Sequence, residues 1–123
     1  MSWDSYVEAM VGCGCTGAAI VGLDGSIWAT CKLKLLQHEP STLLKGLENP
    51  ELLQSHGIFA NGTYYLTVLI NPTFAYGRKG PSGIVVERTN TALLILTHDE
   101  TLQSGECTRI AGSYGNYLRD LGY

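Results

Sequence analysis

The sequence predicts an α+β domain built on an antiparallel sheet, and three observations carry that expectation. Both ends of the chain show helical periodicity, the interior alternates short apolar runs with tight-turn dipeptides, and residues 1–123 offer one compact domain's worth of chain. At the amino end Trp3, Tyr6, Val7 and Met10 recur at i, i+3, i+4, i+7, with Ser2 placed to cap the helix. At the carboxyl end Ile110, Tyr114, Tyr117, Leu118 and Leu121 share one stripe of a helix over residues 104–121.

Between the ends, each element has a local reason. The glycine-rich run 11–17 stops the first helix, and residues 18–23 read as a short buried strand. Asp24-Gly25 is a hairpin signal, returning the chain along 26–30. Residues 32–53 are the least regular part. Ser41 and Thr42 are caps for a short helix through Leu47, and Asn49-Pro50-Glu51 starts another that Gly57 ends. Asn61-Gly62 joins strands 58–60 and 63–70; strands 74–78 and 84–88 flank 79–83; residues 91–97 form a further apolar strand, and Asp99-Glu100 a turn.

Composition excludes several classes. Eight basic residues stand against eleven acidic ones, for a net charge of −3. Nucleic-acid binding, whose affinity rests on neutralising phosphates, is not expected. No apolar run is long enough to span a membrane, and the start shows no basic-then-apolar leader, so a cytoplasmic protein is expected. Cys13, Cys15, Cys31 and Cys107 contain no C-x-x-C pair and read as free thiols.

Several motifs tempt. Gly12-Cys13-Gly14-Cys15-Thr16-Gly17 matches G-x-G-x-x-G, the signature that a small nucleotide-dependent oxidoreductase would carry. That chemistry needs a strand before the loop and a helix after it, and here the order is inverted. His38, His56 and His98 fall on separate segments without metal-ligand spacing, so no metal is expected. No nucleophile–base signature accompanies Cys31 or Cys107. Asn61-Gly62-Thr63 fits a glycosylation sequon but is more simply a turn. The expectation is therefore no cofactor and no catalysis.

The aromatics are more informative. Trp3 and Tyr6 lie at one end, Tyr114, Tyr117 and Tyr123 at the other, and Trp28 just after the first hairpin turn. A tryptophan at position 3 sits where chain ends fray and little core is available. If the terminal helices pack side by side over Trp28, the rings form an exposed patch suited to polyproline II segments, which are extended before binding and stack on flat aromatic faces. Phenol and indole groups at its rim are placed to donate to proline carbonyls.

The opening Met1-Ser2-Trp3-Asp4-Ser5-Tyr6-Val7 resembles the start of the profilin family, S-W-x-x-Y-V. Residues 18–29, Ala-Ala-Ile-Val-Gly-Leu-Asp-Gly-Ser-Ile-Trp-Ala, are similar to its A-A-I-x-G-x-D-G-x-x-W-A. Gly77-Arg78-Lys79-Gly80, Gly83-Ile84 and Arg88-Thr89-Asn90 follow in order, and residues 117–123 close like the family's Y-L-x-x-x-G-Y/F.

The resemblance implies a central antiparallel sheet with the N- and C-terminal helices together on one face and small helices on the other. It implies a protein that binds monomeric actin and proline-rich proteins, regulates actin polymerisation and nucleotide exchange without doing chemistry, and also meets phosphoinositide headgroups in a cytoskeletal setting. Carried residue by residue, it puts Trp3, Tyr6, Trp28, Tyr117, Leu118 and Tyr123 on the polyproline groove, and Arg78, Lys79, Arg88, Thr89, Gly105, Thr108 and Arg109 on the actin face. Tyr114 matches no groove position and is expected in the core. Where many relatives read G-G-T-K-Y, this chain has Asn61-Gly62-Thr63-Tyr64-Tyr65, which exchanges a lysine on the actin side for Tyr64. That exchange keeps open a second reading, a polyproline-binding module with weak or lost actin binding.

Overall fold

The computed structural model describes residues 2–123; Met1, the first residue of the opening motif, lies outside them. The chain runs α1 (Trp3–Gly12), β1 (Gly17–Gly22), β2 (Ile27–Cys31), α2 (Glu39–Glu48), α3 (Pro50–His56), β3 (Ile58–Ala60), β4 (Thr63–Asn71), β5 (Phe74–Lys79), β6 (Ser82–Arg88), β7 (Ala92–His98) and α4 (Ser104–Asp120). The seven strands make one sheet in the order β2-β1-β7-β6-β5-β4-β3, and neighbouring strands are antiparallel throughout.

The sheet is covered on both sides, which explains its central sequences. Every residue of β1 and of β7 is buried, so both read as unbroken apolar runs without alternation. On one face Val7 and Met10 of α1 meet Ile20, Leu94 and Leu96 of the sheet and Cys107, Ile110 and Leu118 of α4. On the other, Leu43 and Leu47 of α2 and Leu53 of α3 pack on Ile58, Ile84 and Ile95. Among the described residues no helix is long and apolar enough to cross a membrane.

The structure adjusts four local expectations. Ser2 stands at the N-cap of α1, but its side chain makes no capping bond; instead Ser5 Oγ donates to the Ser2 carbonyl. Asp24-Gly25 sits inside a longer connection, in which Asp24 Oδ1 accepts from Ser26 N and Ser26 Oγ. α2 starts at Glu39, so Ser41 and Thr42 lie in its first turn, where both hydroxyls donate back to the His38 carbonyl. Strand β4 also runs on to Asn71, with a bulge between Thr67 and Leu69. The Asn61-Gly62 turn is as read: Ala60 pairs with Thr63, and both turn residues have positive φ, 53° and 72°, as a two-residue hairpin of this hand requires.

Candidate functional site: an aromatic groove and an open sheet face

Helix α1 presents Trp3 and Tyr6 one turn apart, and α4 presents Tyr117 and the segment ending in Tyr123 beside them. The Trp3 ring lies 4.8 Å from Trp28, 5.0 Å from Tyr123 in an edge-on contact, and 5.7 Å from Tyr6. Tyr6 in turn stands 6.1 Å from Tyr117. A groove between the helices is lined by Trp3, Tyr6, Tyr117, Leu118, Leu121 and Tyr123, and Trp28 backs it from β2. All six residues expected in the polyproline set thus come together, in two different ways. The five aromatic side chains are half-buried or exposed, whereas Leu118 is only 1% exposed and forms the groove floor.

Two details fix the rings. The backbone oxygen of Tyr123 accepts from Thr91 N at 2.6 Å, Thr89 Oγ1 at 2.8 Å and Thr91 Oγ1 at 2.9 Å, which ties Tyr123 to the β6–β7 turn. Gly22 lets Trp28 lie flat against the first hairpin, since a Cβ there would come 2.8 Å from Trp28 Nε1. The indole N–H of Trp28 donates to Ser26 Oγ at 3.2 Å, so it is engaged within the protein and not turned to a ligand carbonyl. Burial first, then the neighbouring Tyr117 phenol, pushes the Tyr6 phenol above its ordinary pKa.

Tyr114 departs from expectation. It is half-buried and meets Tyr6 edge-on at 6.3 Å, not sealed in the core. With Ser5, Tyr6, Ala9, Ser113 and Tyr117 it lines a second compartment of about 530 Å³. Tyr6 and Tyr117 line both compartments, so the groove is continuous.

The residues expected on the actin face do not all share a face. Arg78 is exposed on β5 and lines a polar cavity with Gly105, Ser104 and Gln103 at the start of α4 and His98, Asp99 and Glu100 after β7. Thr108 lies on the flank of α4 that faces β6, seven residues before Gly115, against whose position Glu87 packs. Arg109 is exposed and paired with Glu106 on its own helix. Three expectations need correction. Thr89 is buried, at 4% exposure, and its hydroxyl donates to the Tyr123 backbone oxygen and accepts from Ala92 N. Glu87 reaches Arg119 of α4 at 2.5 Å, so by the strand's alternation Arg88, next along β6, projects to the opposite face of the sheet. Lys79, next to Arg78 on β5, is likewise turned away from the Arg78 side.

The sequence reading missed an apolar surface beside α4. Leu66, cross-strand partner of Arg78, and Leu69, partner of Tyr76, are 59% and 57% exposed, and Val68 at the bulge is 57% exposed. Uncovered side chains of this size clustered on one strand mark an interaction surface. Tyr64, the residue in place of a lysine, is also exposed and packs edge-on against Phe59.

The remaining candidates stay structural. The Gly12–Gly17 loop follows α1 and leads into β1, the reverse of the strand-loop-helix order that dinucleotide binding needs. All four cysteines are free, and hydrogen bonding with Cys15 together with burial pushes the Cys107 thiol far up. His38 and His56 are exposed, while buried His98 stacks on Tyr76 with Nε2 2.9 Å from its hydroxyl. No cluster of three metal-ligating side chains occurs among the described residues.

A sheet clamped between small helices and its own chain ends, which together present an aromatic groove, defines a small α+β protein of profilin architecture. The chain belongs to the profilin family: the family model described as Profilin matches residues 1–123. It is 38% identical to Profilin-A of Physarum polycephalum over 125 residues, covering all of both chains. The structure of Acanthamoeba castellanii profilin IB superposes with a TM-score of 0.95 at 31% identity, covering 99% of this chain and 100% of that one. Mouse profilin IIa, solved in complex with a double repeat from the FH1 domain of mDia1, shares the fold at a TM-score of 0.79 and 21% identity, with both chains covered in full. Profilins are actin-binding regulators and not enzymes.

Proposed function

We propose that this profilin binds monomeric actin through the open sheet face beside α4 and proline-rich segments through the aromatic groove. It thereby regulates actin polymerisation and nucleotide exchange in the cytoplasm. The observation that carries the reading is the ring cluster itself, Trp3 against Trp28, Tyr123 and Tyr6, left accessible between two helices. Flat rings at such spacing offer stacking faces to a ligand that is extended before it binds and so loses little chain entropy. The mouse relative solved with an FH1 repeat supports the same use of the fold.

For actin, the supporting observation is Leu66, Val68 and Leu69 exposed beside Arg78 and the start of α4, apolar area with a cation at its edge. Such a surface favours this reading over a module that has lost actin. Phosphoinositide headgroups find thinner support, because Arg109 and Arg119 are already paired with carboxylates.

Trp3→Ala or Tyr117→Ala is expected to abolish retention on poly-L-proline while leaving the circular-dichroism spectrum and melting behaviour native. Truncating a central interface aromatic commonly costs about 2 kcal/mol or more. Retention of both variants at the wild-type elution position would overturn the groove assignment.

A further inference from the structure

The two ends of the sheet are not alike. One is β3, three residues long and a poor template for another strand. The other is β2, five residues long, which pairs with β1 on one side and with no strand on the other among the described residues. An edge strand carries a row of free backbone N–H and C=O groups with which a further extended segment can pair. We infer that the outer edge of β2 is a docking site for an acidic, extended segment of a partner protein, added to the sheet as a further strand. The inference stands apart from the groove and actin readings.

A cavity beside the edge gives the ligand something to fill. After Cys31 the chain turns at Lys32, whose φ of 56° is left-handed, and residues 33–35 run on toward α2 as a strap. Gly17 seats the strap, since a Cβ there would come 2.8 Å from the Lys32 carbonyl oxygen and 2.9 Å from Leu33 Cβ. Between strap and strand lies a cavity of about 600 Å³, walled by Ile27 and Thr30 of β2 and by Leu33 and Leu35. Ile27 is 49% exposed, so half of a large apolar side chain is left open there. A strand laid along β2 sends alternate side chains to this face, so an aliphatic side chain of the ligand has a place to bury.

Charge selects the partner. Lys32 and Lys34 are exposed at the rim of the cavity and pair with no carboxylate among the described residues. No acidic side chain lines the cavity, in a chain whose net charge is −3. Two cations beside free backbone donors attract carboxylates. Lysine on an edge also guards it against its own kind, because two copies meeting edge to edge would bring like charges together. The pair that repels a second copy therefore draws in an acidic strand. Guarding alone requires no apolar cavity.

The test uses the intact, isotope-labelled protein and three peptides of about six residues, the length of an ordinary strand. One alternates valine and glutamate, one alternates valine and lysine, and the third is the acidic peptide with its backbone nitrogens methylated. The acidic peptide is expected to shift the amide signals of residues 27–35 and to slow hydrogen exchange at the outward amides of β2. In Lys32→Glu with Lys34→Glu its affinity should fall at least about tenfold, while retention on poly-L-proline stays at the wild-type value. The methylated peptide should also bind at least about tenfold more weakly, because it lacks the backbone donors. Equal binding of the lysine peptide, or wild-type affinity in the double variant, would overturn the choice of an acidic partner. Signal shifts without slowed exchange would overturn the added strand, and no shift at the solubility limit of the acidic peptide would overturn the site.

Discussion

Glu39 buries a carboxylate, 1% exposed, without an ion-pair partner among the described residues. Its Oε1 accepts from Leu36 N and Asn61 N, and its Oε2 from Gly62 N, at 2.7, 2.6 and 2.8 Å. Three backbone donors satisfy both carboxyl oxygens and lock the Asn61-Gly62 turn onto the start of α2. Glu39→Ala leaves those donors unpaired in the interior, and a loss of about 3 kcal/mol is expected. Glu39→Gln keeps one acceptor and should lose less. Urea unfolding of the two variants measures both, and a midpoint unchanged by Glu39→Ala would contradict the account. Nothing in residues 32–53 signalled this role, because two of the three partners are backbone groups 22 and 23 residues further on, and backbone groups leave no trace in sequence. Thr89 is a comparable case. The resemblance put it on a binding face, while its hydroxyl holds the Tyr123 backbone oxygen.

At the scale of elements, what was local was legible. Helices α1 and α4 declared themselves by apolar periodicity, and the β3–β4 turn by an Asn-Gly pair whose positive φ angles few other residues accept. Five of the six groove residues were legible as aromatics at the two chain ends and after the first hairpin turn, whereas Leu118 joined them only through the family pattern, since a leucine on a helical stripe does not stand out. Which face a strand residue takes was not. Arg88 and Arg78 look alike in sequence, and only the pairing of Glu87 with Arg119 shows that β6 turns Arg88 away. Tyr114 is expected in the core because it matches no groove position of the family, but it stands half-buried at the edge of the α4 stripe, where it meets Tyr6 of α1. The clamp between Thr89, Thr91 and Tyr123 gives an element-scale expectation. Thr89→Val removes a hydroxyl that never touches the groove, yet it loosens the ring that packs edge-on against Trp3. Poly-L-proline affinity should fall by about threefold to tenfold, the effect of about one hydrogen bond. An affinity equal to wild type would show that the groove does not depend on the clamp.

Over the whole molecule, α4 separates two surfaces on one face of the sheet. The aromatic rings lie between α1 and α4, whereas Arg78, Leu66 and Leu69 lie on the sheet beyond the other flank of α4. Sites without shared contacts respond to substitution nearly independently. Actin binding should therefore survive loss of the groove, and groove binding should survive loss of the sheet face. The measurement that bears most directly on this is pyrene-actin assembly with Trp3→Ala and with the pair Leu66→Ser and Arg78→Glu, both exposed positions. Trp3→Ala is expected to slow spontaneous assembly as the wild type does. The double variant should require at least about tenfold more protein for the same effect while keeping wild-type retention on poly-L-proline. If instead the double variant slows assembly at wild-type concentrations, the open sheet face is not where this profilin meets actin.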